Sequence, residues 1–453
     1  MKRSILLLFI FFSINCIEIQ GQITIGNTTV DTTTIASNLE KPWDVIYTAD
    51  SSIWFTERPG RVSRIDLATN QTHLLLDITN EVEASAESGL MGIAIMDSLS
   101  ITRVFLVYTY LDSNSTFFER MSKYTYNQTQ DTLIHEQVMI DSIPANNYHD
   151  GSRLVALNAQ IYMSTGDATN TSFPQDLNSY SGKILRFNFD GSVPNDNPVP
   201  GSYIYSWGHR NPQGLYYANN MLYSSEHGPT TDDEINIITK GGNYGWPDVH
   251  GYCNTTAEIN FCNDSNVIEP IFAWTPTVAT AGICYYDHPS IPEWQGSILL
   301  ATLKASRLIS LQLNGSKDSV TNTNEYLINE YGRLRDVETN QWGEVFIATN
   351  SFPNRIIKLS NNTLSSVEDK LKKDKSIRYF PNPASDKLSI EFNSNAIVSI
   401  QLFAINGQEV IREDVKGLTK INLNTSPLKQ GLYFLQLKDE NDKRTTHKVV
   451  ISK

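Results

Sequence analysis

A repeated pattern of short strands constrains the fold of this chain most. Each repeat contains three apolar segments separated by turns, and the repeats follow one another at a spacing of roughly 50–60 residues. The first strands of the six repeats lie at 43–47, 90–96, 153–155, 214–217, 282–286 and 335–337. Each strand triplet can bury its apolar faces only against neighbouring triplets, so the pattern predicts an all-β, six-bladed β-propeller over residues 23–360. A pair of β-sandwiches is the alternative, but it does not explain six similar triplets.

The composition changes after residue 360. Residues 361–378 are polar and rich in lysine, which is typical of a linker. Residues 379–453 contain several short segments of alternating polarity, and Asn406-Gly407 is a hairpin turn signal. We therefore expect the propeller to be followed by a linker and a small C-terminal β-sandwich.

The first residues have the pattern of an export signal. Lys2 and Arg3 precede an apolar run at 5–12, and polar residues follow, so residues 1–22 are predicted to be a signal peptide. The apolar run is short for a membrane span, and no other segment is suited to one. The net charge of −13 and the lack of a basic tract outside the linker argue against nucleic-acid binding. In an exported chain Cys253 and Cys262 can form a disulfide, which would leave Cys284 unpaired.

Polar side chains with useful chemistry recur at one place in the repeats. Most lie at or just before a first strand, and one follows a second strand. Because the first strand of each propeller blade lines the central channel, we expect these residues to meet at one channel mouth. They are Glu87, His149, Arg210, Asn211, Gln213, Thr277, Lys304, Arg333 and Arg335.

Two features of this set suggest a reaction on a bound anion. His149 could serve as a general base, because histidine exchanges protons near neutral pH, although a structural turn histidine is the alternative. The four cations in the set would repel one another unless an anion holds them. A ligand with several carboxylates suits the planar guanidinium groups. Separate surface salt bridges are the alternative.

A turn in the fourth repeat could hold a hard cation. Gly228 and Pro229 are followed by Asp232, Asp233 and Glu234, and calcium prefers carboxylate and main-chain oxygens. Solvated acids in a turn are the alternative. The segments 57–58 and 165–167 are interpreted as structural turns.

Together these residues give a resemblance to a known family. The chain resembles the soluble PQQ-dependent sugar dehydrogenases, the glucose/sorbosone dehydrogenase type of six-bladed propeller. The matching stretches are 54–58, 89–94, 149–154, 182–186, 208–215, 226–229, 232–236, 241–247, 274–279, 303–304 and 333–337.

The resemblance implies a role for each matching position. His149 corresponds to the catalytic base, and Arg210 to the arginine that faces the reactive quinone oxygen. The other implied cofactor contacts are Asn211, Gln213, Thr277, Lys304, Arg333 and Arg335. Gly228 and Pro229 would give main-chain oxygens to the calcium of the cofactor. Asp233, Glu234 and Tyr244 match part of a second, structural calcium site.

The implied function is PQQ- and calcium-dependent oxidation of an aldose sugar at its anomeric carbon to a lactone, with electrons passed to an external acceptor. There are two notable departures. Glu87 stands where the family carries glutamine, and an extra negative charge near an anionic cofactor would be costly unless it is paired or turned away, so a Glu87 contact is not implied. The segment 247–274 is short where the glucose enzymes carry a long insertion that helps to wall the sugar site. Glucose specificity is therefore not implied. The alternative is a cofactor-free cell-surface propeller that binds glycan or protein. A calcium-dependent lactonase would need more carboxylates at the mouth.

Residues 379–453 carry a second resemblance, to the type A C-terminal sorting domain of the type IX secretion system. It rests on 380–383, 406–407 and 431–433. It implies that the secretion machinery is a partner and that the protein is secreted or attached to the cell surface. An accessory carbohydrate-binding sandwich is the alternative.

Overall fold

The computed structural model describes residues 20–48, 50–98, 101–361, 377–392, 397–404, 409–439 and 444–452. The predicted signal peptide, most of the predicted linker and the Asn406-Gly407 turn lie outside these residues. The chain divides into two compact units at Asn361, and each is described by itself.

The first unit is a six-bladed β-propeller, as the strand repeats predict. After β1 (Gln20–Ile25) and β2 (Thr28–Ser37), blade 1 contains β3 (Pro42–Tyr47), β4 (Ser52–Glu57), β5 (Arg61–Asp66) and β6 (Gln71–Asp77). Blade 2 contains β7 (Leu90–Ser98), β8 (Ile101–Leu111), β9 (Phe117–Asn127) and β10 (Thr132–Pro144). Blade 3 contains β11 (Gly151–Leu157), β12 (Gln160–Thr165), β13 (Lys183–Asn188) and β14 (Ile204–Trp207).

Blade 4 contains β15 (Pro212–Ala218), β16 (Met221–Glu226), β17 (Asp233–Ile238) and, after helix α1 (Thr256–Ser265), β18 (Phe272–Trp274). Blade 5 contains β19 (Thr280–Tyr286), a 3₁₀ turn (Pro292–Trp294), β20 (Ser297–Thr302), β21 (Leu308–Leu313) and β22 (Val320–Tyr326). Blade 6 contains β23 (Leu334–Thr339), β24 (Val345–Thr349) and β25 (Arg355–Ser360).

The ends of the first unit close the ring. Strand β2 pairs with β25, with Asp31 opposite Ser360, and β1 adds to the outer edge of the same sheet. The sequence repeats predicted three strands per blade and missed the outermost strand. The physical reason is exposure, since outer strands such as β6 and β22 show little of the burial that produces an apolar alternation.

The core lies between the blades. Trp294, Leu299 and Val337 belong to one buried cluster shared by blades 5 and 6, and Phe105 and Leu154 belong to another shared by blades 2 and 3. Burial of such large side chains stabilises a fold by about 1.5–3 kcal/mol each. The packing between blades fixes the direction of every inner strand.

The inner strands β3, β7, β11, β15, β19 and β23 surround a central cavity of about 240 Å³. In each blade the pairing between the first and second strands is irregular near the start of the first strand. Such bulges bend a strand and redirect its side chains. We call the end of the channel where these six strands begin the mouth.

The disulfide between Cys253 and Cys262 is present and joins the turn before α1 to the helix, while Cys284 is free and buried.

The second unit contains β26 (Ile377–Phe380), β27 (Lys387–Phe392), β28 (Ile397–Ala404), β29 (Glu409–Asp414), β30 (Lys420–Asn424), β31 (Gly431–Asp439) and β32 (Arg444–Ile451). They form a three-stranded and a four-stranded sheet around a shared apolar core, which confirms the predicted sandwich. Among the described residues, no helix combines the length and the apolar character that a membrane span requires.

Candidate functional site

The mouth brings several of the predicted residues into direct contact. Arg210 lies 3.2 Å from His149, measured from Nη2 to Nε2. Arg335 donates to Gln213 Oε1 at 2.6 Å, and Gln213 donates to Glu87 at 3.5 Å. These side chains come from the starts of blades 2, 3, 4 and 6, so the mouth is one site built by most of the ring.

Hydrogen bonds on both ring nitrogens settle which tautomer His149 adopts. Its Nδ1 lies 2.9 Å from Asp167 Oδ1, and its Nε2 faces the guanidinium of Arg210. Arginine can only donate, so Nε2 must accept and Nδ1 must carry the hydrogen that Asp167 accepts. The basic lone pair of His149 therefore lies at Nε2, where Arg210 donates to it, and this is the atom that a general base would use.

Asp167 is a site residue that sequence reasoning missed. Besides His149, its carboxylate accepts from the Trp246 indole at 2.9 Å and from the Thr169 amide at 2.7 Å. Its own amide donates to the Arg210 carbonyl at 2.7 Å. The interpretation of 165–167 as a structural turn is thus incomplete. The signal that could have found it is its place just after the second strand of blade 3, which matches that of Lys304 in blade 5.

Arg210 is held from several sides. Its Nη1 donates to the His227 carbonyl at 3.0 Å, and its guanidinium lies 5.3 Å from the centre of the Trp246 ring. Its amide donates to Glu226, whose other oxygen bonds the buried His209 ring at 3.0 Å. Burial lowers the pKa of Arg210, although neighbouring acids oppose the shift, Asp167 most strongly. These contacts fix the position of the guanidinium before any ligand is bound.

Arg335 is a buried cation, with 3 % of its surface exposed. Burial lowers its pKa to about 9, although Glu87 opposes the shift. A buried charge is costly without an opposite charge nearby, so an anion bound at this point would stabilise Arg335.

Below the mouth, a buried ionic cluster supports Gln213. Arg153 donates to the Gln213 carbonyl at 3.0 Å and to Asp336 at 3.1 Å, and it also pairs with Asp44. Its guanidinium lies 4.3 Å from the centre of the Trp43 ring. The sequence repeats did not reveal this cluster, because each of its residues comes from a different blade.

The remaining predicted cations lie on the rim. Lys304 is exposed and donates to Thr277 Oγ1 at 3.0 Å. Arg333 is also exposed, and its amide donates to Ser351 at 2.9 Å. Both cationic side chains remain accessible to a ligand at the mouth.

Two buried donors show what kind of ligand the mouth suits. Arg210 Nε and Asn211 Nδ2 are buried and have no hydrogen-bond partner among the described residues. The amide oxygen of Asn211 is already used, since it accepts from Gly151 at 3.1 Å. Buried donors are normally paired, and each unpaired one points to a missing acceptor. An anionic ligand rich in oxygen atoms fits these donors and the surrounding cations.

Most of the residues predicted to bind calcium line a cavity, but they do not form a cluster of carboxylate ligands. Gly228 and Pro229 line a small cavity with Glu226, Glu234 and Tyr244. No group of three or more His, Cys, Asp or Glu side chains in the described part of the chain is placed to hold a metal ion. Main-chain oxygens would have to supply much of any calcium site here.

The three residues predicted for a second calcium site use their side chains differently. Asp233 accepts from the amides of Gly228, Val278 and Ala279 at 2.8, 2.8 and 2.6 Å, and so joins two loops. Glu234 accepts from the Gly251 amide at 2.9 Å, and burial together with Glu226 raises its pKa to about 8. The Tyr244 hydroxyl donates to the Ile237 carbonyl at 2.6 Å. Glu234 also accepts from the Asn236 side chain at 2.9 Å, and its raised pKa means that a bound cation would stabilise its charged form.

The fold and the mouth define a class of protein: a six-bladed propeller whose channel mouth places a histidine acceptor beside an arginine and unpaired buried donors. A sequence profile of the family described as Glucose / Sorbosone dehydrogenase matches residues 39–358. The chain belongs to this family. A second profile, described as Secretion system C-terminal sorting domain, matches residues 378–452. The second unit is therefore a sorting domain, which implies secretion or a cell-surface location.

Individual proteins agree with this assignment. Quinoprotein glucose dehydrogenase B of Acinetobacter calcoaceticus is 34 % identical over 308 residues, which span 60 % of this chain and 64 % of that protein. Aldose sugar dehydrogenase YliI of Escherichia coli K12 is 25 % identical over 370 residues, 77 % of this chain and 98 % of that protein. The PQQ-bound form of aldose sugar dehydrogenase from Streptomyces coelicolor superposes with a TM-score of 0.63 at 29 % identity, covering 73 % of this chain and 98 % of that one.

Proposed function

We propose that this protein oxidises an aldose sugar at its anomeric carbon to a lactone, using PQQ and calcium, and passes the electrons to an external acceptor. The observation that carries the proposal is the His149 Nε2 acceptor, oriented by Asp167 and placed beside a mouth with unpaired buried donors. A glycan-binding surface has no need for an oriented base.

The mouth fits the cofactor in charge and in hydrogen-bonding capacity. PQQ is an aromatic quinone with three carboxylates, and Arg335, Arg333 and Lys304 offer the complementary charges, with Thr277 and Asn211 as further donors. Arg210 and Gln213 are the remaining predicted contacts to the cofactor. The main-chain oxygens of Gly228 and Pro229 would hold the calcium ion, and a structural calcium ion would bind at Glu234, with Asp233 and Tyr244 shaping its surroundings. When bound, the quinone supplies the two-electron acceptor that the protein itself lacks.

The residues of the chain supply the rest of the chemistry. His149 Nε2 takes the proton of the anomeric hydroxyl, and the Asp167 carboxylate stabilises the imidazolium that results. The Arg210 guanidinium, already fixed by His227 and Trp246, would stabilise negative charge on an oxygen atom of a ligand bound opposite it. Because these groups are in position before binding, little reorganisation is needed during the reaction.

The test is reconstitution of the purified protein with PQQ and calcium, followed by dye reduction with a panel of aldoses. We expect a spectral change on binding and aldose-dependent reduction of the dye. The His149→Ala variant should still bind PQQ, and its turnover should fall by about 10²–10⁴-fold, the range for loss of a general base. His135→Ala, on the outer strand of blade 2, is the matched control.

Unchanged turnover in His149→Ala would reject the assignment of the base. If neither a spectral change nor dye reduction occurs, the cofactor-free propeller that binds glycan or protein becomes the better description.

For export, we propose that residues 1–22 are removed as a signal peptide and that the type IX secretion machinery recognises the second unit. Mass spectrometry of the mature protein checks both points.

A further inference from the structure

The mouth is divided by charge. The cationic residues come from three consecutive blades: Arg210 precedes blade 4, Lys304 lies in blade 5, and Arg333 and Arg335 lie at the start of blade 6. Blades 2 and 3 face them across the channel. A polyanionic cofactor that binds the cations leaves the substrate beside the half of the mouth formed by blades 2 and 3.

Three acidic residues on that half adjoin or interact with His149: Glu87, Asp150 and Asp167. Asp167 is 1 % exposed, and its carboxylate already accepts hydrogen bonds from His149, Trp246 and Thr169. Asp150 is 4 % exposed, and burial raises the pKa of its carboxyl well above the ordinary value, which favours the neutral form. Neither residue therefore presents a free negative charge to the mouth.

Glu87 differs from both, because it is only partly buried. Its carboxylate accepts a long hydrogen bond, 3.5 Å, from Gln213, and it also interacts with the backbone amide of His149. Its amide donates to the Asn147 carbonyl at 2.9 Å, which fixes its loop against the loop that carries His149. Glu87 thus lies beside His149, and its side chain is only partly buried.

Several charged groups face Glu87. Burial alone would raise its pKa, but the nearby His227 and His149 rings, Arg335 and the His149 backbone amide outweigh burial and lower the pKa below the ordinary value. The Arg58 guanidinium is also near and donates to the carbonyls of Ser85 and Ser88 at 3.4 and 2.8 Å. These groups favour the charged form of Glu87, whereas Asp150 on the neighbouring loop would oppose it if it were ionised.

We propose that Glu87 selects the substrate by charge: the site takes neutral and ammonium-bearing aldoses and disfavours aldoses that carry a carboxylate. The proposal rests on the proposed dehydrogenase function and adds a substrate class to it. Once an anionic cofactor occupies the cationic half, Arg335 is neutralised, and the Glu87 carboxylate is the charge that an incoming sugar meets beside His149.

The expected size of the effect follows from Coulomb's law. Two unit charges about 6 Å apart, at an effective dielectric constant of about 40, interact strongly enough to change kcat/KM by about tenfold. An ammonium group gains by this factor and a carboxylate loses by it. The preference between two such sugars can therefore reach about a hundredfold.

The test uses the PQQ- and calcium-loaded protein and three sugars with one ring skeleton: glucose, glucosamine and glucuronic acid. The measured quantity is the ratio of kcat/KM for glucosamine to that for glucuronic acid. In the Glu87→Gln variant, which keeps the size of the side chain and removes its charge, this ratio should fall at least tenfold. Glu83→Gln, on the same loop, is the matched control and should keep the ratio of the unaltered protein.

A second readout separates substrate selection from a structural effect. PQQ affinity and melting temperature are measured for each variant, and added salt should reduce the sugar preference of the unaltered protein, because mobile ions screen the charge. An equal ratio in the unaltered protein and Glu87→Gln, or a preference for glucuronic acid, overturns the proposal while leaving the dehydrogenase function intact. If the loaded protein oxidises none of the three sugars or any other aldose, the proposed function fails, and the charge selection fails with it.

Discussion

Replacing Asp167 with asparagine tests the chemistry of the base most directly. The Asp167 carboxylate accepts three hydrogen bonds, two at Oδ1 from His149 and Thr169 and one at Oδ2 from Trp246. An asparagine can keep both bonds at the Oδ1 position if its NH₂ group turns toward Trp246. The His149 ring then keeps its orientation and its tautomer, while the negative charge behind it and the hydrogen bond from the Trp246 indole are lost.

The size of the effect follows from that change. A hydrogen bond to a charged group contributes about 1.5–3 kcal/mol, compared with about 1 kcal/mol for a neutral pair. The imidazolium formed at His149 during proton transfer therefore loses about 1–2 kcal/mol of stabilisation, which corresponds to a fall in kcat of about 5–30-fold. The KM for the sugar should change little, since Asp167 lies behind the ring. Asp167→Ala should lose more, because it also removes the orientation of the ring.

The assay is steady-state dye reduction by the reconstituted protein, with PQQ affinity measured separately for each variant. Asp176→Asn is the matched control, since Asp176 lies on the same loop, is exposed, and accepts from the Asn178 amide, which asparagine can also do. A kcat within twofold of the unaltered protein, or an equal loss in Asp176→Asn, would refute the role assigned to Asp167.

Three further predictions concern the fold. Burial, reinforced by a neighbouring acid, raises the pKa of the Glu119 carboxyl well above its ordinary value. The stability that the protonated carboxyl contributes is complete below the unfolded-state pKa and is lost as pH rises toward the folded-state pKa. Glu119→Gln should therefore melt at a higher temperature than the unaltered protein in mildly alkaline buffer, and no such gain is expected for the exposed Glu81→Gln. Gly282→Ala would place its Cβ 1.7 Å from a buried carboxylate oxygen, whereas Gly315→Ala meets open space; calorimetry should show the first destabilised by about 1–3 kcal/mol and the second nearly unchanged. A chain ending at Asn361 contains the whole propeller unit; it should keep its dehydrogenase turnover within about twofold, and a complete loss in a soluble, folded product would contradict the division into two units.

Part of the site could be predicted from the sequence, because repeat position fixes which residues reach the mouth. The bulge at the start of each inner strand brings His149, Arg210 and Arg335 to the same end of the channel. What the repeats could not supply is the pairing of these residues. Arg335 and Gln213 are 122 residues apart in the chain, and only ring closure brings them within 2.6 Å.

The sequence alone determined the six-bladed architecture, the C-terminal sandwich and the family, since apolar periodicity and local motifs are properties of short segments. The tertiary structure decided the tautomer of His149, the burial of Arg335 and the role of Asp167. These depend on hydrogen bonds and desolvation by residues from other blades or loops. Asp167 shows the difference: the sequence suggests an ordinary turn residue, and Asp167 becomes the partner of His149 only where its loop meets the loop of His149.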